Sequence, residues 1–209
     1  MWSKFFEIAK VINLSERTDR KQEYEREFAR IGINAERFEA YTGDNRHLAF
    51  NKSQYYCLKE CVEKGYNKIL ILEDDVEFKN CDHLPQAFNE LPEDWDILYL
   101  GANINGTHLE RYSTHLFKLR NSFTTHAVAY SNKMAKWIIE NFPFYTDEYE
   151  KEGLIIYDEW LRVNVQEQFK CFLVFPMVAW QRRSFSDIWQ NDADYTRCFD
   201  DGNKLLSEL

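Results

Sequence analysis

Three consecutive acids follow an unbroken apolar run in the segment Lys68-Ile69-Leu70-Ile71-Leu72-Glu73-Asp74-Asp75-Val76-Glu77-Phe78. Four branched aliphatic residues without alternation predict a strand covered on both faces, which is typical of a mostly parallel sheet in an α/β protein. The acids follow at the carboxyl end of this strand, where open α/β sheets bind ligands. Clustered carboxylates repel one another unless a cation joins them, so the motif favours Mg²⁺ or Mn²⁺ and a phosphate-bearing substrate. A solvated acidic turn is the alternative interpretation.

The composition limits the class of protein. A chain of 209 residues that is 44% hydrophobic and 16% aromatic is long enough for one well-buried domain. The net charge of -9 argues against a nucleic-acid partner, because phosphate backbones are bound by clustered Lys and Arg. The five cysteines form no C-x-x-C pair, so we expect a reducing, cytoplasmic setting rather than disulfides or zinc. No apolar run approaches the roughly 20 residues that span a bilayer.

The order of predicted elements is strand, helix, strand, helix, strand, which is typical of right-handed crossovers over a parallel sheet. We predict strands at residues 8–14, 37–40, 68–73, 95–101, 115–119, 125–130 and 171–175. We predict four helices. The first begins at Asp19, an N-cap paired with Gln22, and ends at Gly32, and the second runs from about Ser53 to Gly65. The other two cover residues 131–141 and 157–168.

Two arginines follow the first predicted strand, where a helix is expected to begin. Helix N-terminal N–H groups and a guanidinium both favour phosphate, so Arg17 and Arg20 are candidate anion ligands. The alternative is that they pair with Glu16, Asp19 or Glu23 on a solvated helix face.

A second acidic position, Asp158, lies between aromatic residues at the predicted start of a helix. A carboxylate in such a pocket can act as a general base on a sugar hydroxyl if its proton affinity is raised. The alternative is an acid placed there by the helix dipole. Residues 176–189 predict a substrate-binding loop, although Trp180 and Trp189 could be core residues. No P-loop, dinucleotide-binding or G-x-S-x-G motif is present.

Taken in order, these segments resemble glycosyltransferase family 25, which includes lipooligosaccharide galactosyltransferases and the collagen galactosyltransferase domains. The matching segments cover nearly the whole chain: Val11-Ile12-Asn13-Leu14 with Arg17 and Arg20, Ile71-Leu72-Glu73-Asp74-Asp75-Val76, Leu98-Tyr99-Leu100-Gly101, Thr125 to Ser131, Tyr157-Asp158 with Leu161, and Gln181 with Ser186-Asp187-Ile188. The chain departs from the family at residues 50–55, where Gln54 or Tyr55 stands at the family's histidine. This departure leaves the donor sugar and the acceptor open.

The resemblance implies a GT-A type fold that uses Mn²⁺ or Mg²⁺ and a UDP-sugar, with galactose or glucose as the hexose, to glycosylate a saccharide or glycoconjugate with inversion. It implies a single domain over residues 1–209, with a nucleotide-binding half at about 1–100 and an acceptor-binding half at about 101–209. The implied site consists of Asp75 as metal ligand, Glu73 and Asp74 at the ribose or the ligand sphere, Asn13, Leu14, Arg17 and Arg20 around the UDP, and Asp158 as catalytic base, with Glu159 and Asp187 as alternatives to Asp158.

Two other functions fit the same residues. The acids and arginines would equally serve a metal-dependent nucleotidyltransferase or another pyrophosphate-cleaving enzyme, which would release pyrophosphate rather than UDP. The many aromatic residues would also suit a non-catalytic module that binds sugars or nucleotide sugars.

Overall fold

A computed structural model describes residues 1–104, 109–143 and 156–209. The α-helices in these ranges are α1 (Trp2–Phe5), α2 (Thr18–Ile31), α3 (Arg46–Glu63), α4 (Leu84–Glu90), α5 (Asn132–Asn141), α6 (Tyr157–Asn164) and α7 (Thr196–Ser207), and a 3₁₀ helix spans Cys81–His83. The strands are β1 (Ile8–Asn13), β2 (Glu36–Glu39), β3 (Lys68–Glu73), β4 (Val76–Phe78), β5 (Ile97–Tyr99), β6 (Asn103–Ile104), β7 (Glu110–Arg111), β8 (Leu116–Lys118), β9 (Ser122–Phe123), β10 (Ala127–Ser131), β11 (Cys171–Val174), β12 (Ala179–Gln181), β13 (Ser184–Ser186) and β14 (Asn191–Ala193).

Eight strands form the central sheet in the order β2-β1-β3-β10-β5-β11-β8-β7. Strand β1 pairs in parallel with β2 and β3, and β5 pairs in parallel with β11. Strand β10 is antiparallel to β3 and β5, and β8 is antiparallel to β11 and β7. Within the described residues, β10 and β8 run against the other six strands of this sheet, so the sheet is mixed, with three parallel and four antiparallel neighbouring pairs. The prediction of an α/β protein with a large central sheet flanked by helices is confirmed.

Helices cover both faces of the sheet. Strand β3 shows why, because Ile69 and Ile71 point into one hydrophobic cluster with α3, α5 and α6, whereas Leu70 and Leu72 point into another with α1, α2 and α4. All four side chains are at most 1% exposed. The unbroken apolar run thus reflects burial on both faces, as expected for a central strand in such a layer structure.

Several boundaries differ from the sequence predictions. Helix α2 begins at Thr18 with Arg17 as its N-cap residue, so Asp19 lies in the first turn and is not the cap. Gly32 ends α2 in the left-handed conformation, with φ 73°, as predicted. Helix α3 begins at Arg46, well before Ser53, because Asn45 caps it by accepting a hydrogen bond from Leu48 N at 3.1 Å.

The early start of α3 was hidden by the polar character of its buried face. Asn51, Ser53 and Gln54 are all buried on this helix, so its first turns lack the apolar repeat that identifies a helix from sequence. Helix α6 ends at Asn164 rather than 168. The predicted loop at residues 176–189 contains β12 and β13, and β12 pairs with β4 directly after the acids.

The described residues contain no helix that is long and apolar enough to cross a membrane. The central sheet takes strands from both sides of residue 100, and the single domain over residues 1–209 with two functional halves stays a prediction.

Gly101 allows a close approach between the chain after β5 and the start of β12. A Cβ atom at this position would lie 1.8 Å from Ala179 O and 3.1 Å from His126 Nε2. The peptide segment that enters β12 is held here by two hydrogen bonds to Leu100 O, from Val178 N at 2.9 Å and Ala179 N at 3.2 Å. A side chain at residue 101 would push this segment away from the sheet.

We therefore expect Gly101→Ala to lower the free energy of unfolding by about 3 kcal/mol or more, since backbone atoms cannot move aside as a flexible side chain can. Denaturant unfolding of the variant and the parent measures the change. Gly43→Ala is the matched control, because a Cβ atom there has no neighbour within 4 Å. Equal stability of the two variants would contradict the close contact.

Candidate functional site

Four chain segments meet at one edge of the central sheet. Asn13 ends β1 and Leu14 follows it, and residues 40–47 follow β2. Glu73 ends β3, and Asp74 and Asp75 come directly after it. Strand β10 runs the opposite way, so Thr124 and Thr125, which precede it, lie at the same edge. Glu73 N donates to His126 O at 3.0 Å and joins the last two segments. The strand order places these groups in the sequence β2, β1, β3, β10 along the edge.

A cavity of about 630 Å³ lies over this edge. The predicted site residues that line it are Asn13, Leu14, Arg20, Glu73, Asp74, Asp75 and Asp158. Both the acids after β3 and the predicted base, which are separated by more than 80 positions in the chain, therefore face one space. Arg17 is absent from the lining, since its guanidinium pairs with Asp19 and Asp187 beside the cavity.

Asp74 is committed to contacts within the protein. Its Oδ1 accepts from Arg20 Nη1 at 2.6 Å and its Oδ2 accepts from Asn13 Nδ2 at 2.8 Å. Burial raises the pKa of Asp74, and the Arg20 guanidinium and the Asn13 amide act in the opposite direction. With both oxygens occupied, Asp74 is suited to holding the acidic turn in place rather than to binding a metal.

Asp75 differs from its neighbour, because its Oδ1 is buried and has no hydrogen-bond partner among the residues that the structure describes. Its Oδ2 lies 3.5 Å from Arg20 Nη1, a distance that gives charge attraction without a short hydrogen bond. Burial raises the pKa of Asp75, and Arg20 and Arg182 counteract that rise. A buried carboxylate oxygen without a donor is costly unless a cation or donor group joins it.

Glu73 forms the third member of the acidic group. Its Oε1 accepts from Thr125 Oγ1 at 2.8 Å and Gln54 Nε2 at 3.2 Å. Gln181 Nε2 approaches its other oxygen at 3.4 Å. Burial first, and then the charge of Asp75, raise the pKa of Glu73 to about 8. The protonated form of Glu73 is thus favoured to a higher pH than in an exposed glutamate.

Asp158 lies at the start of α6 and is oriented by two backbone N–H groups. Its Oδ2 accepts from Thr124 N at 3.2 Å and its Oδ1 accepts from Glu159 N at 2.9 Å. Burial raises the pKa of Asp158 in spite of these bonds. The neighbouring acid Glu159 is bound to Arg162 at 2.9 Å. Asp158 is therefore the better placed of the two for proton transfer.

Arg182 is a site residue that the sequence patterns did not single out. Its backbone N donates to Asp75 O at 2.9 Å, and its Nη2 donates to Asp74 O at 3.2 Å. The same guanidinium pairs with Glu23 of α2. The sequence places Arg182 directly after Gln181, which was the one indication of a role in the site. The pairing of β12 with β4 brings Arg182 to the acids, and this long-range contact is not visible in the sequence.

Arg20, Asn13 and Leu14 all line the cavity, but the side chains of Arg20 and Asn13 are already paired within the protein. Arg20 lies in the cavity and forms a buried pair with Asp74, not the solvated pair with Glu16, Asp19 or Glu23 that was the alternative. Arg17 does pair with Asp19. Asn13 binds Asp74 and also accepts from Arg37 Nε at 2.9 Å, so its side chain is occupied on both sides. Leu14 lines the cavity.

The donor set bears on a possible metal. Among the side chains that the structure describes, no three or more His, Cys, Asp and Glu groups are arranged to hold a metal ion. Asp75 supplies one hard oxygen ligand of the kind that Mg²⁺ and Mn²⁺ prefer. Such ions are commonly held by one or two carboxylates, with substrate phosphates and water as the other ligands. The residues present fit a metal that binds together with a phosphorylated substrate.

No family model matches the chain, and no curated protein matches it. Solved structures with a similar chain path include A197 from STIV, with 10% identity, a TM-score of 0.48, and coverage of 88% of this chain and 91% of the other. A glycosyltransferase involved in the glycosylation of the major capsid of PBCV-1 has 11% identity and a TM-score of 0.40, with coverage of 80% of this chain and 93% of the other. Mannose-1-phosphate geranyltransferase from Thermus thermophilus has 9% identity and a TM-score of 0.43, with coverage of 79% of this chain and 58% of the other. None of the three reaches a TM-score of 0.5, so the geometry of the site carries the functional argument.

The pKa of Glu73 predicts a pH-dependent stability. The folded protein holds this proton more tightly than the unfolded chain, whose glutamate pKa is about 4.5. The resulting stabilisation is complete below about pH 4.5 and is lost as the pH rises toward 8. Glu73→Gln carries no titrating proton. We therefore expect the melting temperature of Glu73→Gln minus that of the parent to increase as the pH rises over this range. Thermal unfolding in EDTA without nucleotide measures it, and parallel pH profiles of the two proteins would refute the assignment.

Proposed function

We propose that this protein is a metal-dependent glycosyltransferase of GT-A type that moves a hexose, galactose or glucose, from a UDP-sugar to a hydroxyl group of a saccharide or glycoconjugate, with inversion. One observation carries the proposal. A single cavity joins Asp75, whose buried oxygen has no partner in the described part of the chain, to Asp158, a carboxylate with raised pKa. The first suits a metal with a diphosphate, and the second suits a general base. The five free cysteines favour a reducing compartment such as the cytoplasm.

Asp75 would hold Mn²⁺ or Mg²⁺ through its unpaired oxygen, and Asp74 would keep the turn fixed through Arg20 and Asn13. When bound, the metal would neutralise negative charge on the departing UDP. Arg20 and Arg182 add positive charge on the protein side, since both act electrostatically on Asp75. Metal binding would lower the pKa of Glu73, because the cation would offset the charge of Asp75, which adds to the effect of burial on this group.

Asp158 would take the proton from the attacking hydroxyl group. The acceptor oxygen forms a bond to the anomeric carbon as the bond from that carbon to the UDP oxygen breaks, and the hydroxyl proton passes to Asp158. Attack on the face opposite the leaving group inverts the configuration, by analogy with inverting glycosidases. The Thr124 and Glu159 N–H groups hold the Asp158 carboxylate in place. Its raised pKa brings its proton affinity nearer to what a base needs at neutral pH.

Product analysis tests the class of reaction. The protein is incubated with Mn²⁺, a panel of UDP-hexoses and simple saccharide acceptors, and the release of UDP and of pyrophosphate is measured. We expect UDP and a glycosylated acceptor. Pyrophosphate release would indicate a nucleotidyltransferase, and binding of UDP-sugars without any turnover would indicate a binding module.

Metal-dependent nucleotide binding should depend on Asp75. We expect UDP with Mn²⁺ to raise the melting temperature of the parent protein, because a ligand that binds only the folded state stabilises it. Asp75→Asn should abolish the part of this shift that EDTA removes. Asp82→Asn, which changes an exposed acid outside the cavity, should keep the whole shift. Equal Mn²⁺-dependent shifts in Asp75→Asn and the parent would exclude Asp75 as the metal ligand.

Loss of the base should separate catalysis from donor binding. Asp158→Asn should retain affinity for UDP and Mn²⁺ yet slow transfer by roughly 10²-fold or more, because a general base contributes at that level. Glu159→Gln is the control, since it removes the adjacent acid that is bound to Arg162. Steady-state rates and UDP titration of both variants are compared with the parent. Weakened donor binding in Asp158→Asn would make it a donor contact, and near-parental turnover would leave it as an acid at a helix start.

A further inference from the structure

The hairpin β13–β14 crosses the cavity between the starts of α2 and α3. Arg20 Nη2 donates to Ser184 Oγ at 2.9 Å and to Phe185 O at 2.7 Å, which fixes its first strand to the site. Asp187 at the tip pairs with Arg17. Trp189 N donates to Ser186 Oγ at 3.1 Å and closes the turn. The tip is therefore a built turn with a defined position over the edge of the sheet.

Trp189 is presented by this tip as an open aromatic surface. It lines the cavity and is 57% exposed, the highest fraction among the aromatic side chains that the structure describes. The ring of His47, at the start of α3, meets the indole edge-on at 5.0 Å and 68°. One side of the indole is thus supported while much of its surface stays accessible. Trp180, in contrast, is partly buried and packs against Phe199 of the core.

Two further features of this end of the cavity suit a flat ligand with polar edges. His47 Nδ1 is buried and has no hydrogen-bond partner in the described part of the chain. Tyr41 lines the same cavity at 41% exposure, with its ring stacked on Tyr56 at 5.1 Å and 28°. Exposed aromatic faces beside an unpaired ring nitrogen offer both stacking and one hydrogen bond.

The strand order decides which part of the donor reaches this end. Trp189 contacts His47, which follows β2 at the outer edge of the sheet, whereas Asp158 contacts Thr124, which precedes β10. The acids of β3 lie between these positions. If the sugar faces Asp158 and the diphosphate lies at Asp75, the nucleoside has to extend over β1 and β2.

We propose that Trp189 is the stacking platform for the nucleobase of the donor, with the hairpin β13–β14 placed over the nucleoside. This inference rests on the proposed function for the placement of the diphosphate and the sugar. It assigns base binding to the C-terminal part of the chain, so the nucleotide is held from both sides: by the strand ends of residues 1–100 below and by Trp189 above.

The test compares a ligand that has a base with one that lacks it. UDP and inorganic pyrophosphate, each with Mn²⁺, are titrated by calorimetry into the full-length parent and Trp189→Ala. We expect Trp189→Ala to weaken UDP binding roughly 10-fold or more, in line with the contribution of base–aromatic stacking, and to leave pyrophosphate binding unchanged. Trp189→Phe, which keeps an aromatic face, should recover most of the loss.

Phe185→Ala is the matched control, because Phe185 is an exposed aromatic residue of the same hairpin, 44% exposed, that does not line the cavity. It should bind both ligands like the parent. Unchanged UDP affinity in Trp189→Ala would overturn the inference while leaving the proposed function intact, as would an equal loss for UDP and pyrophosphate or a selective rise in the acceptor KM. A parent protein that binds neither ligand with Mn²⁺ would overturn both the inference and the proposed function.

Discussion

The buried ion pair between Arg20 and Asp74 is the contact on which the site depends. Their side chains are each 9% exposed and lie 2.6 Å apart, so each charge relies on the other for compensation. Arg20 comes from α2, Asp74 from the turn after β3, and Nη2 of Arg20 donates to Ser184 in the C-terminal hairpin. Removal of one partner would leave a buried charge, which typically costs about 3–5 kcal/mol. The pair thus sets the relative position of three parts of the chain that are far apart in sequence.

This pair also explains why two adjacent acids have different roles. Asp74 accepts short hydrogen bonds from Arg20 and Asn13, whereas Arg20 lies 3.5 Å from Oδ2 of Asp75 and Oδ1 of Asp75 is buried without a partner among the described residues. The protein therefore satisfies one carboxylate internally and leaves the other available. Burial, and then the negative charge of Asp75, raise the pKa of Glu73 to about 8. If a cation binds at Asp75 as proposed, it would offset the charge of Asp75 and so lower the pKa of Glu73.

Local sequence signals identified the parts of the fold whose structure is set by local patterns. The apolar run of β3 predicted a strand buried on both faces, the acids marked the edge of the sheet over which the cavity lies, and Gly32 predicted the end of α2. The predicted start of α3 was wrong because its buried face carries Asn51, Ser53 and Gln54, whose burial is justified by polar contacts that no hydrophobic repeat reports. Gln54, for example, is buried because it bonds with Glu73 and Thr125. Polar groups that serve the site thus removed the pattern by which the helix would have been recognised.

The C-terminal part of the site was harder to predict for a related reason. Arg182 reaches Asp74 across 108 positions of the chain, and Arg20 reaches Ser184 across 164. The strands involved have three residues each, too few for alternation to be visible, and they are stable because β12 pairs with β4 and because arginines from the start of α2 hold the hairpin. The conformation of these two strands therefore depends on the position of the acidic turn after β3. A sequence pattern can identify the acids, but only the folded chain shows that the same charges also position the segment that covers them.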